Sequence, residues 1–197
     1  MYSQGSEEEA ILKFFGDKRD GRFLDIGAAD GRTFSNTLAL AERGWSGVCV
    51  EAAAHHFVGL KKTYEQNPNI ALVNAAMDAQ GGCAMFYDTP DVLGSLSLKH
   101  KEKWEGLAPF REIYVAKITI DQLFEVLPGP YDFVTIDIED RSIETLTMFP
   151  SLKELGVKLL CVEIQDGEDT VKVKKLMDVW GYTLVHKTEG NELFQVT

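Results

Sequence analysis

Short runs of consecutive apolar residues alternate along this chain with stretches whose apolar positions recur every three or four residues. The first pattern predicts strands buried on both faces, the second amphipathic helices. Residues 7–15 read as a helix, with Ile11, Leu12, Phe14 and Phe15 turned to a core. Phe23–Ile26 reads as a buried strand, and a helix is expected from the following loop to about Arg43. Gly47–Val50 is a second strand, 55–66 a helix stopped by Asn67-Pro68-Asn69, and Ile70–Asn74 a third strand. After the turn signal Gly81-Gly82 come a short strand, Cys83–Tyr87, and the least regular stretch, 88–112. Ile113–Ile120 alternates like a peripheral strand, and Asp121 is placed to cap a short helix ending at Pro128-Gly129-Pro130. Tyr131–Ile136 and Val157–Ile164 are further buried strands, separated by a helix over 141–154. A helix from about Asp169 to Trp180 precedes two strands, 182–187 and 192–197, joined by the hairpin signal Thr188-Glu189-Gly190-Asn191.

Strands alternating with helices imply parallel pairing with helices on both faces, here with an antiparallel C-terminal hairpin. The fold expected is a doubly wound α/β sheet in a single domain, 1–197, with 88–112 as a mobile lid. In such sheets the ligand crevice lies beyond the carboxyl ends of the strands, where the strand order reverses. That places the chemistry just after Ile26, Val50, Ile136 and Ile164.

Polar residues stand at those ends. Asp25-Ile26-Gly27-Ala28-Ala29-Asp30-Gly31 follows the first strand, and its glycines let backbone turn tightly against a ligand. Glu51 closes the second strand, twenty positions past Gly31, where a carboxylate can accept both hydroxyls of a ribose. A nucleoside-containing cofactor is therefore expected. A dinucleotide loop would carry a glycine at Ala29, and Asp25 would repel a pyrophosphate. S-adenosylmethionine, with an ammonium, a sulfonium and one carboxylate, suits the charges better. Asp25 and the Gly27 carbonyl can face its ammonium, and a helix N-terminus near Thr33 and Ser35 its carboxylate. Asp78, after the third strand, is placed to accept from the adenine amino group.

Asp137, Glu139 and Asp140 end the central strand, with Glu163 and Asp166 beyond the next. Such acids can orient a methyl donor, act as base or hold a divalent ion such as Mg²⁺. Asp137 is the first candidate for the reacting centre, with Glu139 beside it. His100, in the irregular stretch, has a pKa range suited to a base. Ser95 and Ser97 are placed to hydrogen-bond an acceptor, and Trp104, Phe110 and Tyr114 to wall an apolar one. His55 and His56 open the second helix, at the surface or on the adenine side.

The formal charge of −11 argues against nucleic acid as a partner. Cys49, Cys83 and Cys161 are too scattered for a disulfide framework or zinc site and fit reduced thiols in a cytoplasmic protein. No apolar run reaches the length of a membrane span, and no secretory leader opens the sequence.

In these motifs the chain resembles the FkbM family of S-adenosylmethionine-dependent methyltransferases. The stretches that carry the likeness are Phe23–Gly31, Ser35-Asn36-Thr37, Gly44–Glu51, Phe57–Leu60, Ser95–Ser97, Asp132–Glu139 and the ending from Gly181-Tyr182 to Asn191–Phe194. The resemblance implies a Rossmann-like methyltransferase sheet and O-methylation of a hydroxyl on a small molecule or glycan. It implies cofactor contacts from Asp25, Gly27, Ala28, Ala29, Gly31, Ser35, Glu51, Asp78 and Asp137. The chain departs from the family where Ala29 replaces Asn, Ala52 replaces Pro, and Asp140 and Ser142 replace a glycine and an acid. Those departures leave room for a nucleoside-binding accessory protein without turnover. An NAD-dependent oxidoreductase would need a Tyr-x-x-x-Lys pair, which the chain lacks.

Overall fold

The computed structural model describes residues 1–164 and 167–197. The elements, in order, are α1 (Glu7–Phe15), β1 (Arg22–Ile26), α2 (Leu38–Glu42), β2 (Ser46–Glu51), α3 (Ala54–Thr63), β3 (Ile70–Asn74) and β4 (Ala76–Met77). There follow β5 (Gly82–Asp88), α4 (Leu98–Trp104), β6 (Arg111–Ile118), α5 (Ile120–Val126), β7 (Phe133–Ile136) and α6 (Ser142–Thr147). The last are β8 (Leu159–Glu163), α7 (Gly167–Trp180), β9 (Tyr182–Lys187) and β10 (Asn191–Val196).

Seven strands form the main sheet in the order β3-β2-β1-β7-β8-β10-β9. Pairing is parallel from β3 to β8, and β10 runs antiparallel to both its neighbours. The order reverses between β1 and β7, so their carboxyl ends open the crevice that the sequence pattern calls for.

Each buried strand sends successive side chains to opposite faces, and each face has its own core. Leu24, Ile26, Val48, Val50, Val134, Ile136, Leu160 and Val162 pack against Ile120, Leu123, Leu146, Val173 and Met177. Phe23, Cys49, Phe133, Leu159 and Cys161 pack against Ile11, Phe15, Leu38, Leu40 and Leu60. The helices of α5, α6 and α7 thus cover one face and those of α1, α2 and α3 the other.

Three expectations change. The helix after β1 is only five residues, because Ala29, Gly31 and Phe34 all take positive φ (46°, 72° and 57°) and interrupt any earlier helical turn. The helix over 141–154 is six residues, with Pro150 beyond its end. Thr119, not Asp121, caps α5, in a capping box with Gln122.

A small second sheet, β4-β6-β5, lies between β3 and α5 in the chain. The connection from β5 to β6 contains α4, whose cap is the Ser97 side chain accepting from the His100 N–H at 3.2 Å. Among the described residues, no helix is long and apolar enough to cross a membrane.

Candidate functional site

A cavity of about 420 Å³ opens at the carboxyl ends of β1, β2, β7 and β8, within the usual range for small-molecule sites. Gly27 (φ 92°) begins its floor, where a Cβ would lie 1.7 Å from the Asp137 carbonyl oxygen. Only glycine permits β1 and β7 to approach so closely here. The loop then turns across the end of β2. Ala29 N–H donates to Glu51 Oε2 at 2.9 Å, and Ala53 N–H donates to Glu51 Oε1 at 2.6 Å. Both carboxylate oxygens are thereby fixed, each with a lone pair left to accept a hydroxyl. Burial raises the Glu51 carboxyl above its ordinary range, against the Ala53 N–H and the nearby His56.

Asp25 lies beneath the loop, 5 % exposed, and accepts from the Thr37 hydroxyl at 2.6 Å. Burial pushes its carboxyl up to about 7, the Thr37 bond opposes this, and the Glu51 charge adds to it. A buried acid of this kind gains its charge when a cation is supplied.

Asp137 follows β7 and lines the cavity with Glu139 and Glu163. The three carboxyl groups offer oxygens within 4.8 Å of one another. Burial, then the charges of Glu163, Glu139 and Asp25, hold the Asp137 carboxyl well above the usual range. Glu163 is placed by the Ser142 hydroxyl (2.8 Å) and the Glu139 N–H (3.0 Å), both donating to its Oε2. Ser142 also accepts from the Ile138 N–H at 3.0 Å. Asp166 lies outside the described residues. The carboxylate donor set alone does not single out Mg²⁺.

Glu139 and Asp140 are left-handed, with φ of 46° and 65°. The segment before α4 and the first turn of α4 hold them so. Ser95 Oγ donates to the Glu139 carbonyl (2.7 Å), Ser97 Oγ to Asp140 Oδ2 (2.6 Å), and Lys99 stands 3.6 Å from Asp140 Oδ1.

Of the residues singled out from sequence, Asp25, Gly27, Ala28, Ala29, Ser35, Glu51, Asp137 and Glu139 line the cavity. Gly31, Asp78 and His100 do not. Gly31 is a turn residue (φ 72°) packed against Leu60 and Tyr64. Asp78 is held by Lys117 and Arg141, each at 3.2 Å; against burial, the Gln80 N–H and these two cations keep its carboxyl below the ordinary range. His100 is buried beneath the strand-end loop, its Nε2 3.6 Å from Glu139 Oε2, and burial lowers its pKa. It is a positioning candidate for Glu139 rather than a group that reaches a ligand.

Ser95 and Ser97 brace the loop instead of facing an acceptor. Trp104, Phe110 and Tyr114 stand off the cavity, and the aromatic residues on its wall are Phe34 and Phe86. Of the histidine pair, His56 lines the cavity and bonds the Asp91 carbonyl oxygen at 2.8 Å. The expected helix N-terminus near Thr33 and Ser35 is absent. The Arg32 and Thr33 N–H groups donate to Asp30 Oδ1 instead, and α2 begins only at Leu38.

Asn36, Thr135 and Phe34 also line the cavity and carried no assigned role in the sequence. Asn36 and Thr37 stand together in the motif beside Ser35, and that was the available signal. Thr135, inside an apolar run, gave none.

These residues fit S-adenosylmethionine. The carboxyl groups of Asp25 and Asp137 suit its cationic centres, and the Glu51 oxygens suit its ribose. Asn36 Oδ1 is sealed from solvent with no hydrogen-bond partner among the described residues.

Among solved structures, the chain is similar to a methyltransferase FkbM from Methylobacillus flagellatus KT, with 11% identity and a TM-score of 0.60. That match covers 90% of this chain and 44% of the other, so the chain spans less than half of that protein's length. It is similar to the METTL16 methyltransferase domain, with 14% identity and a TM-score of 0.55, over 96% of this chain and 64% of that one. A third similar structure is the C-terminal domain of precorrin-6Y C5,15-methyltransferase from Rhodobacter capsulatus. It gives 11% identity and a TM-score of 0.53 over 96% of this chain and 85% of that one. At these identities the likeness is one of fold, the Rossmann-like sheet of S-adenosylmethionine-dependent methyltransferases. No curated protein matches the sequence. Residues 25–184 match the family model described as the methyltransferase FkbM domain. That match runs from the end of β1 to the first half of β9 and takes in every acid on the cavity wall, and the chain belongs to the FkbM methyltransferase family.

Proposed function

We propose that the protein is an O-methyltransferase that uses S-adenosylmethionine and acts on a hydroxyl of a small molecule or glycan. The observation that carries this reading is the placement of Asp137, its carboxyl raised by burial and by neighbouring acids, in the same cavity as the ribose-ready Glu51. Bound there, S-adenosylmethionine supplies an electrophilic methyl group on a sulfonium. Glu51 and the Gly27–Ala29 backbone orient the nucleoside end. As the acceptor oxygen bonded to the methyl carbon and the S–CH3 bond broke to leave a neutral thioether, Asp137 would take the hydroxyl proton, a task for which a raised carboxyl pKa is better matched near neutrality. Glu139 and Glu163 hold negative charge beside it, which favours a neutral or cationic acceptor over an anionic one. Phe34, 47% exposed at the cavity wall, offers an apolar face to the acceptor.

The family's missing glycine and acid do not argue for a non-catalytic role. Asp140 adopts the left-handed conformation that a glycine would take, and the Ser142 hydroxyl holds Glu163. The loop keeps its left-handed turn and its hold on Glu163 with other residues. The stretch Asp91–Leu96, which contributes to the wall beside His56 and Phe86, is the part of 88–112 that closes when the cofactor enters. Protease cleavage there slows on adding S-adenosylhomocysteine; an unchanged rate removes the closure.

The test of the function is calorimetric titration with S-adenosylhomocysteine and NAD, followed by methyl transfer from labelled S-adenosylmethionine to a panel of sugars and small alcohols. S-adenosylhomocysteine binds saturably, and Glu51→Ala weakens it about 10- to 100-fold. Asp137→Asn retains binding and slows transfer at least about 100-fold. Preference for NAD, or full transfer by Asp137→Asn, overturns the reading.

A further inference from the structure

The strand order sets where the two ligands of a methyl-transfer site can lie. Glu51 ends β2, Asp137 follows β7, and Glu163 and Asn191 are register partners where β8 meets β10. Four strand spacings, about 19 Å, separate β2 from β10. With a ribose at Glu51 and the methyl group near Asp137, the part of the cavity beyond β7 is left for the acceptor. Glu163, Gly190 and Asn191 wall it there. Gln4 and Phe34 also line the cavity, and both are tied to this end. Gln4 belongs to the segment ahead of α1. Glu7, 1 % exposed, accepts from the Gly5 N–H on Oε2 at 2.7 Å. On Oε1 it accepts from the Thr188 hydroxyl at 2.5 Å and from Asn191 Nδ2 at 3.3 Å. One buried carboxylate thus fastens the segment to the β9–β10 turn. Farther along the same segment, the Arg32 guanidinium lies 5.6 Å from the centre of the Tyr2 ring, two residues before Phe34. Asn191 is engaged with Glu7, and Glu163 Oε2 with Ser142 and the Glu139 N–H. The Gln4 amide makes no hydrogen bond to another described residue, so it offers both a donor and an acceptor. Phe34 holds a φ of 57°, a conformation that a bulky side chain resists, and yet leaves its ring 47 % exposed. Nothing in the free protein repays that placement, whereas a ligand covering the ring would.

We propose that Gln4 and Phe34 are the specificity-determining residues of the acceptor subsite, with Glu7 as the positioning residue that holds Gln4 there. Phe34 covers an apolar face of the acceptor. Gln4 bonds a second hydroxyl of the same molecule, one that does not react, since a hydroxyl both donates and accepts as the amide does. The acceptor is then a neutral molecule with an apolar face and at least two hydroxyls. The proposal rests on the methyl-transfer reading above and adds the residues that choose among its acceptors.

The experiment is saturation-transfer NMR titration of the full chain, loaded with S-adenosylhomocysteine, with cyclohexanol and with cis-1,2-, cis-1,3- and cis-1,4-cyclohexanediol. The four probes share one apolar ring and differ in the presence and spacing of a second hydroxyl. At least one diol binds about threefold to tenfold more tightly than cyclohexanol. Gln4→Leu, which keeps the bulk and loses the amide, brings all four within about twofold of one another. Glu7→Ala, which releases the segment, does the same. Phe34→Ala weakens all four alike, about threefold to tenfold, and leaves the preference for the diol. None of these variants shifts S-adenosylhomocysteine affinity by more than about twofold. No preference for any diol in the unaltered chain overturns the proposal, and so does a preference that survives Gln4→Leu. Unchanged cyclohexanol binding in Phe34→Ala overturns the role of the ring, and a preference retained in Glu7→Ala overturns the placement by Glu7. A fall in S-adenosylhomocysteine affinity in Gln4→Leu assigns the segment to the cofactor and overturns the proposal as well. If Glu7→Ala does not fold, Gln4→Leu, at an exposed position, decides. Failure of the unaltered chain to bind S-adenosylhomocysteine refutes the cofactor reading instead, which separates the two.

Discussion

Two strand-end loops build the cavity, and they solve the same backbone problem differently. The loop after β1 places Gly27 and Gly31 at φ of 92° and 72°, with Ala29 between them at 46°. The loop after β7 places Glu139 and Asp140, neither a glycine, at 46° and 65°. A residue with a Cβ pays about 1–2 kcal/mol for that conformation. In the first loop glycine removes most of the cost, and a single carboxylate, Glu51, ties the turn to its own sheet. In the second loop the cost is met from outside, by Ser95 and Ser97 from a segment more than forty residues earlier in the chain. The first loop is held by glycine and a single carboxylate from the neighbouring strand; the second is held by a segment distant in sequence.

The comparison can be broken most forcefully at Gly27. Gly27→Ala puts a Cβ on the Asp137 carbonyl, and it is expected to cost at least about 3 kcal/mol and to abolish S-adenosylhomocysteine binding. Thermal unfolding and titration check this, and a loss under about 1 kcal/mol would show that the first loop is not bound to glycine. Next comes ionisation under that loop. Asp25 holds its proton to about pH 7 in the folded chain but only to about pH 3.9 when unfolded. The ligand-free protein therefore loses stability as pH rises from about 4 to 7 and levels off above. This group accounts for a loss of roughly 2 kcal/mol between pH 5 and 7. Asp25→Asn flattens that part of the curve in denaturant titrations; an unaltered slope would move the effect to Asp137.

On the second loop, Ser97→Ala removes a bond to a carboxylate and is expected to destabilise by about 1.5 kcal/mol, with Ser95→Ala adding about 1 kcal/mol. Chemical denaturation reads both. Asp140→Gly sharpens the contrast. In the unaltered chain the relief of backbone strain is offset by loss of the Ser97 and Lys99 contacts. In the Ser97→Ala background the same change stabilises by about 1 kcal/mol. A stabilisation of equal size in both backgrounds would mean that Ser97 contributes nothing. The smallest effect is Ala29→Gly, a gain of up to about 1 kcal/mol, with Glu51 still bonded to the backbone N–H of residue 29.

This contrast also explains what could be read from sequence. Phe23–Ile26, Gly47–Val50 and Ile70–Asn74 are apolar runs bounded by turn residues, so the strands were legible, as were the acids at the ends of the first two, Asp25 and Glu51. Asp25, Gly27 and Glu51 declare themselves by position because the first loop is built locally. Asp78 falls at the right place after a strand, but Lys117 and Arg141 arrive from distant segments and occupy its carboxylate. His100 looks like a base in an irregular stretch; only packing reveals it beneath Glu139. The length of α2 was misread because positive φ at Phe34 has no signature in a phenylalanine. Asn36 stood in plain view, but a polar residue between polar residues does not announce that one of its atoms lacks a partner.

The small sheet has a consequence for how such a chain can change length. Ala76 and Lys117 are register partners, so the chain comes back beside the point at which it left β3 before α5 carries it on to β7. Everything between is a closed excursion, and it touches the cavity at Met77, at Phe86, along residues 91–94 and at Leu96. Length changes in the segment joining β5 and β6 leave strand order and both cores where they are, provided that Ser95 and Ser97 still reach the loop after β7. Lineages and designers alike can therefore revise the roof of this site without renegotiating its foundations.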